Sequence, residues 1–363
     1  MRILNILNTC ARGGTETLLL DVFNSYDRKE MKIWFCTFQG GDLENSFRNS
    51  DINFIKIPRN LPVDLFTIIK LRNLIKLHKI DIVHTHILVD NFHAYFAILG
   101  LRVKLVHSYH GYDYENDLRN NLIQRTFISL TDANIFVSKA VQKYYCDKFN
   151  PSNKSYVVYN GVDPIKMAPT GKNIRQELGI NDNVPLLGMV GNFTNTVRDH
   201  ITVCKALIDV IRERPEIHCV FVGKKSDEIP HYYDQVVSIC KKNNIQNNVH
   251  FIGTRSDVPD ILHALDLYVY ASNHDTFGIS LVEAMMCGIP VIANDLPPFL
   301  EISDNGKFID LYKTKNASDL SDKILSKLET NNNASDAKHY VEQNFTIQKH
   351  IESLMSVYKK VLN

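Results

Sequence analysis

The chain is poor in several things, and each shortage excludes a class of protein. Among 363 residues there is one tryptophan, and no apolar run approaches the ~20 residues that cross a bilayer. The seven cysteines (Cys10, Cys36, Cys146, Cys204, Cys219, Cys240, Cys287) are scattered, odd in number and without a Cys-x-x-Cys pair, so neither a disulfide framework nor a cysteine zinc site is expected. An excess of either charge is missing as well: 41 Lys and Arg face 40 Asp and Glu, a formal net charge of +1. Bulk nucleic-acid binding needs a broad basic surface and is excluded; any membrane contact must come from a local patch. The start, Met1-Arg2-Ile3-Leu4-Asn5-Ile6-Leu7-Asn8, reads as a buried first strand that is broken too soon for a signal peptide. The expected location is cytoplasmic.

What is present is the composition of a soluble globular protein, 44% hydrophobic and 22% charged, at a length that fits two α/β domains. Short apolar runs alternate with longer amphipathic segments, the pattern of parallel sheets covered by helices. Strands are predicted near 2–8, 32–37, 53–57, 81–86, 103–107, 132–137 and 155–159, then near 186–191, 217–222, 249–252, 266–271, 289–293 and 307–309. Asn160-Gly161-Val162-Asp163-Pro164 and the segment through Gly171 read as a linker. This gives one domain over 1–165, a second over 166–345 and a terminal helix over 346–363, with helical spacing of Ile351, Leu354, Met355, Tyr358 and Leu362. The tract from Glu329 to Ser335 reads as a solvated loop or helix end.

The most informative stretch runs from His274 to Ile292. It sets two carboxylates, Asp275 and Glu283, on either side of seven residues that include Phe277-Gly278. A helix beginning near Gly278 places the Gly278 and Ile279 amides at its N-terminus, where unpaired N–H groups and the helix dipole attract anions. Glu283 then falls in the second turn, with Asp275 in the loop before it. A sugar nucleotide needs such parts: carboxylates for ribose and sugar hydroxyls, and amides for the phosphates between them. The plainer alternative is an ordinary strand-loop-helix unit.

Other strand ends carry similar chemistry. Cys10-Ala11-Arg12-Gly13-Gly14-Thr15-Glu16 follows the first strand, and adjacent glycines let a backbone approach a ligand closely. Leu187 to His200 reads as a strand, a Gly191-Asn192 turn and a helix starting near Asp199, with Arg198 as a bidentate phosphate donor. Phe221-Val222-Gly223-Lys224-Lys225 and Phe251-Ile252-Gly253-Thr254-Arg255 repeat the strand-glycine-cation pattern. His84, His86, His107 and His110 end two strands; four histidines invite a zinc reading, but no carboxylate or cysteine stands at a supporting spacing. Asp64 to Lys79 forms a helix with Leu65, Ile68, Leu71 and Ile75 beside Lys70, Arg72, Lys76 and Lys79. It either packs on the sheet with its charges in water or lies on an anionic membrane.

The stretch around Asp275 and Glu283 resembles the Glu-x7-Glu signature of the retaining nucleotide-sugar glycosyltransferases of family 4, and the likeness extends along nearly the whole chain. The resemblance implies the GT-B architecture: two Rossmann-like, doubly wound domains facing a central cleft, the first for the acceptor and the second for the nucleotide sugar, with the terminal helix returning to the first. It implies transfer of a sugar from a nucleoside diphosphate, UDP-sugar foremost, to a glycan or polyprenyl-diphosphate-linked acceptor in capsule, O-antigen or related synthesis. No cofactor or metal is expected. His110 and Asp275 would orient the sugar and Arg198 would stabilise the leaving diphosphate. Gly14, Asn192, Lys224, Thr254, Arg255, Phe277, Gly278, Ile279 and Glu283 would bind the donor, Glu283 through the ribose, while Gly13 and His86 shape the acceptor side. Two positions depart from the family pattern. Asn192 stands where the family has Arg, and Asp275 replaces Glu, which shortens the reach by ~1.5 Å. Rival readings are a GT-B sugar-nucleotide epimerase or hydrolase, and a sugar-nucleotide-binding partner without activity. Many relatives work at the inner membrane face, so peripheral contact with an anionic membrane is a further expectation.

Overall fold

The computed structural model describes residues 1–112, 118–151, 154–194, 197–227, 229–330 and 334–363. The chain divides into two compact units, Met1–Gly161 with Phe345–Asn363, and Val162–Asn344. The break falls between Gly161 and Val162, inside the Asn160–Pro164 turn.

The first unit contains β1 (Arg2–Leu7), α1 (Gly14–Ser25), β2 (Lys32–Thr37), α2 (Glu44–Asn49), β3 (Asn53–Lys56), α3 (Leu65–Leu77) and β4 (Ile82–Thr85). It continues with α4 (Leu88–Ile98), β5 (Lys104–Tyr109), α5 (Leu118–Leu130), β6 (Ala133–Phe136), α6 (Lys139–Phe149) and β7 (Ser155–Val157). The second unit comprises α7 (Ile174–Leu178), β8 (Leu186–Val190), α8 (His200–Glu213), β9 (His218–Val222), α9 (Pro230–Lys242), β10 (Val249–Phe251) and α10 (Val258–His263). β11 (Leu267–Tyr270), α11 (Ile279–Met286), β12 (Val291–Asn294), α12 (Pro297–Ile302), β13 (Asp310–Tyr312), α13 (Ala317–Glu329) and α14 (Ser335–Asn344) complete it. The chain then returns to the first unit as α15 (Ile347–Leu362).

Each unit is one parallel sheet flanked by helices. The strand orders are β3-β2-β1-β4-β5-β6-β7 and β10-β9-β8-β11-β12-β13. In both, the order reverses beside the first strand of the unit, at β1/β4 and at β8/β11, the place where open α/β sheets bind ligands beyond their strand ends. The strands are apolar runs because both faces are covered: Ile3 to Leu7 and all of β4, β6 and β11 are buried. Helix starts follow their caps. Asp64, Ser138, Asp199, Asn316 and Thr346 each accept a first-turn amide proton.

α15 enters the first unit's core through Ile347, Ile351, Leu354, Met355 and Tyr358, against Ile3, Leu19 and Val22. Leu362, assigned by its spacing to the same face, is instead 39% exposed, because the helix outruns the surface it covers. Gly161 permits the return: a Cβ there would lie 2.6 Å from the Ile347 Cα and the Thr346 carbonyl.

Three expectations change. The strand placed at 307–309 forms at 310–312, since Asp304, Asn305 and Gly306 have positive φ and the Phe308 amide is held by the Ser303 carbonyl. The segment through Gly171 is no free linker: the Thr170, Gly171 and Lys172 amides all donate to Asp260, at 2.7, 2.9 and 3.2 Å. On α3 the buried residues are Thr67, Leu71, Leu74 and Ile75, whereas Leu65, read on one apolar face with Leu71 and Ile75, is exposed. The middle of the 329–335 tract, residues 331–333, lies outside the described residues.

Candidate active site

In the second unit the site residues gather at the β8/β11 switch point. The strand ends there are lined by glycine. The Gly191 amide donates to the Val222 carbonyl at 2.8 Å and the Gly223 amide to the Gly253 carbonyl at 2.9 Å, which sets Gly191, Gly223 and Gly253 side by side. A Cβ on Gly223 would stand 2.0 Å from the Gly191 carbonyl oxygen, so only glycine allows these ends to meet. The sequence shows each glycine in its own motif; that the three adjoin is a product of strand order.

Asn192 is exposed, yet its side chain is engaged within the chain, accepting the Lys224 amide at 2.8 Å. It fixes the two glycine turns to each other, a task an Arg could not perform, having no acceptor. The Lys224 ammonium sits 2.6 Å from Asp227 at the surface. Arg255 is clamped from both sides: Glu177 receives Nη1 and Nη2 at 2.7 and 2.9 Å, and Asp257 receives Nε and Nη2 at 2.8 Å each. Its guanidinium therefore shapes the turn, and exposed Thr254 and the backbone carry what that turn offers a ligand.

α11 starts where expected. Gly278 is its N-cap at φ +95°, a conformation L side chains rarely adopt, and a Cβ would also press on Phe299 at 3.0 Å. A glycine cap has no side chain for the first-turn amides, which leaves Ile279 at an N-terminus suited to an anion. Phe277 is buried and anchors the turn, and half-buried Glu283 lies one helical turn beyond Ile279.

Arg198 and Asp275, expected to serve separate parts of a donor, are bonded to each other: Nη1 lies 2.9 Å from Oδ2. Ser272 Oγ receives the same nitrogen at 3.2 Å, and the Tyr270 ring lies beneath the guanidinium, 5.0 Å from Cζ. The Tyr270 hydroxyl donates to Asp275 Oδ2 at 2.7 Å, while the Thr276 and Phe277 amides donate to Oδ1 at 2.8 and 3.3 Å. Burial pushes the Tyr270 phenol well above its usual pKa, so it remains a hydroxyl donor. Tyr270 and Ser272 were not singled out from the sequence. Both lie where the apolar run of β11 ends, and a polar atom in such a run is the one signal that marks them.

In the first unit, Gly13 caps α1 with extended backbone and Gly14 begins it. Glu16 turns back over this loop: its Oε2 would lie 2.6 Å from a Gly13 Cβ, and its Oε1 takes a hydrogen bond from Thr9 at 3.2 Å. Burial raises its carboxyl pKa. The histidines form a connected group. His86 Nδ1 lies 3.0 Å from His110 Nε2, and His86 Nε2 lies 3.3 Å from Asn5 Oδ1. His84 bridges Tyr358 of α15 and Ser108 at 2.7 and 2.8 Å; His107 bonds Thr85 at 2.8 Å. His84 and His86 share a face, with ring centroids 4.3 Å apart, as alternate strand residues must. Burial drives His84 and His86 well below the ordinary imidazole pKa, and His107 and His110 to about 3. The rings are neutral at pH 7; His86 bonds His110, while His84 and His107 bond the hydroxyls of Tyr358, Ser108 and Thr85. Among the described residues no group of three or more His, Cys, Asp or Glu is arranged to hold a metal.

Comparison with known proteins places the chain among glycosyltransferases. The family model for Glycosyltransferase Family 4 matches residues 12–166, and that for glycosyl transferases group 1 matches residues 171–344. The O-antigen biosynthesis glycosyltransferase WclY of Escherichia coli is 25% identical, over 99% of both chains. The N-acetyl-alpha-D-glucosaminyl L-malate synthase of Bacillus anthracis is 25% identical over 87% of this chain and 84% of its own. A UDP-Gal:alpha-D-GlcNAc-diphosphoundecaprenol alpha-1,3-galactosyltransferase of E. coli is 24% identical over 95% and 93%. Among solved structures, Anabaena HepE in complex with UDP and glucose superposes with a TM-score of 0.88 at 20% identity, covering 99% of this chain and 100% of that one.

Two parallel α/β units with these neighbours define a glycosyltransferase of the GT-B class. The chain belongs to the glycosyltransferases, with a Glycosyltransferase Family 4 domain as its first half and a glycosyl transferases group 1 domain as its second.

Proposed function

We propose that the enzyme transfers a sugar, with retention of configuration, from a UDP-sugar to a hydroxyl of a lipid-linked glycan in surface-polysaccharide synthesis. The observation that carries the donor assignment is the second switch point: glycine-lined strand ends, a glycine-capped helix N-terminus, an arginine and Glu283 on one sheet edge. These suit a nucleoside diphosphate, with the phosphates at the α11 amides and Arg198 and the ribose at Glu283. WclY acts in O-antigen biosynthesis, and the galactosyltransferase relative uses a UDP-sugar and a diphosphoundecaprenol-linked acceptor, which supports the donor and acceptor classes.

Transfer follows front-face substitution. The bond from the anomeric carbon to the phosphate oxygen breaks, the bond to the acceptor oxygen forms on the same face, and the acceptor proton passes to the leaving phosphate. Charge grows on that phosphate, so preorganised donors there lower the barrier most. His110 orients the sugar as a neutral ring. Arg198 and the helix amides supply the compensating charge, and turnover is expected to survive EDTA.

Calorimetry with UDP and GDP tests this reading. Wild type is expected to bind UDP, and Glu283→Ala to weaken it ~10–100-fold, the loss typical of a charge-assisted hydrogen bond. Affinity for neither nucleotide, or affinity indifferent to Glu283, would sink the assignment.

The lipid-linked acceptor draws further support from α3. Leu65, Phe66, Ile69 and Leu77 are 68%, 78%, 55% and 75% exposed, next to exposed Leu61 and Val63. Lys70, Lys76 and Lys79 are exposed on the same element and its end. Apolar side chains flanked by lysines suit the headgroup boundary of an anionic bilayer, where each cation adds ~1 kcal/mol. Among the described residues no helix is long and apolar enough to cross a membrane. The full chain is expected to sediment with vesicles containing phosphatidylglycerol, and a Phe66→Asp/Ile69→Asp variant to stay in the supernatant. Equal sedimentation of the two would remove α3 from the reading.

A further inference from the structure

The Asp275 carboxylate is already spoken for within the protein. One oxygen receives Arg198 and the Tyr270 hydroxyl; the other receives the Thr276 and Phe277 amides. Only 11% of the side chain is exposed. The guanidinium has the opposite character. Among the described residues its Nη1 alone is bonded, to Asp275 and Ser272, while a fifth of the side chain remains exposed. Its stem rests on Gly191, where a Cβ would come within 3.0 Å of Arg198 Cδ and Nε, and its plane lies near the Tyr270 ring. Four supports therefore fix the group: a carboxylate, a hydroxyl, a ring and a bare glycine. The edge left over, Nε and Nη2, is the pair of parallel N–H donors that matches two oxygens of one phosphate.

We propose that Asp275 is a positioning residue that acts on the donor through Arg198, turning its Nε–Nη2 edge toward a phosphate oxygen, and does not itself grip the sugar. This rests on the nucleotide-sugar reading of the same site. It also gives the short side chain a reason. A carboxylate with one methylene fewer lies close to its own loop, within reach of the two amides that follow it, and a longer one would be carried away from them. Arg255 at the neighbouring turn is taken up by Glu177 and Asp257, so holding Arg198 in a fixed direction does part of what a second cation would do. Tyr270 and Ser272 belong to the same support, and Gly191 provides the space.

The test is titration of full-length wild type, Asp275→Ala, Asp275→Asn, Arg198→Ala and the Asp275→Ala/Arg198→Ala double variant with UDP, UDP-glucose and inorganic pyrophosphate. Thermal melts identify any variant that fails to fold, and Asp275→Asn keeps an acceptor for Arg198 where Asp275→Ala does not. If Asp275 works through Arg198, Asp275→Ala weakens sugar-free UDP and pyrophosphate ~10-fold or more, as Arg198→Ala does. The double variant is then no worse than Arg198→Ala, and Asp275→Asn recovers most of the loss. If Asp275→Ala leaves UDP within ~2-fold of wild type while weakening UDP-glucose, the residue contacts the sugar and the proposal is wrong. Coupled losses for pyrophosphate without wild-type binding of UDP would uphold the Arg198–Asp275 unit and sink the nucleotide reading. Wild type binding none of the three would overturn both.

Discussion

Acidification from pH 7 to about 4.5 is expected to unfold the first unit while the second stays folded. His84, His86, His107 and His350 are buried and His110 is half-buried in that unit, with imidazole pKa values driven down by desolvation, to about 3 for His107 and His110 and about 4 for His350. In the unfolded chain each returns to an ordinary value near 6.5. The sign follows. Above pH 6.5 both states are neutral at these rings and nothing is lost. Below it the unfolded chain takes up protons that the folded unit refuses, and stability falls until the folded values are reached. Each histidine costs about 1.4 kcal/mol per pH unit in that window. Five together exhaust the ~5–15 kcal/mol of a typical domain within two units. Asp90 and Glu16 oppose them, since burial raises both carboxyl pKa values, but His93 is lowered by burial as well and the histidines outnumber the two acids. In the second unit His200 is buried to the same degree, at about 3, while His218 and His250 are lowered less deeply in partly buried positions. A pH titration followed by two-dimensional NMR, with proton uptake from the slope of urea stability against pH, measures the effect. Uptake below one proton per unfolding event between pH 6.5 and 4.5, or simultaneous loss of both units, would contradict it.

Gly223→Ala is expected to be among the most damaging single-methyl changes in the second unit. The added carbon meets backbone alone: the Gly191 oxygen at 2.0 Å, the Gly191 carbonyl carbon at 2.5 Å and the Asn192 Cα at 3.0 Å. No rotamer relieves that. Spreading the strands would break the Gly191–Val222 and Gly223–Gly253 hydrogen bonds and release the Asn192–Lys224 contact. Overpacking of this kind costs at least ~1–3 kcal/mol, and at ~2–4 °C per kcal/mol for a unit this size the melting temperature should fall by several degrees. Nucleotide affinity should fall with it, because the strand ends form the proposed phosphate floor. Gly179→Ala is the control: its φ is +70° but nothing lies within 4 Å of the added carbon, so only the ~1–2 kcal/mol of the left-handed conformation is at stake. If Gly223→Ala melts no lower than Gly179→Ala, the close approach of the strands is not what the glycine serves.

The order of strands and helices was legible along the chain because both sheets are parallel and covered on both faces. Their strands are therefore unbroken apolar runs, and several of their helices begin at Asp, Ser, Thr or Asn caps. The exception is instructive. Phe308 and Ile309 look like strand residues, yet consecutive positive-φ residues and the Ser303 carbonyl hold the chain in a turn until Asp310. The segment from Asp275 to Glu283 was legible for a similar reason. A glycine-capped helix following a buried strand is local, so its spacing survives in one dimension.

What the sequence by itself determined about this protein is its class: two parallel α/β units, and the loop-helix segment on which the family resemblance rests. The tertiary structure alone decided how the chemical groups are employed. Arg198 and Asp275 stand 77 residues apart and meet only because β8 and β11 are neighbours at the point where strand order reverses. His84 reaches Tyr358 across 274 residues because the last helix returns to the first sheet. Asn192 looked like a missing cation and proved to be an acceptor for Lys224. Residue type and local spacing fix what a side chain can offer; its partner is set by the pairing of strands far apart in the chain.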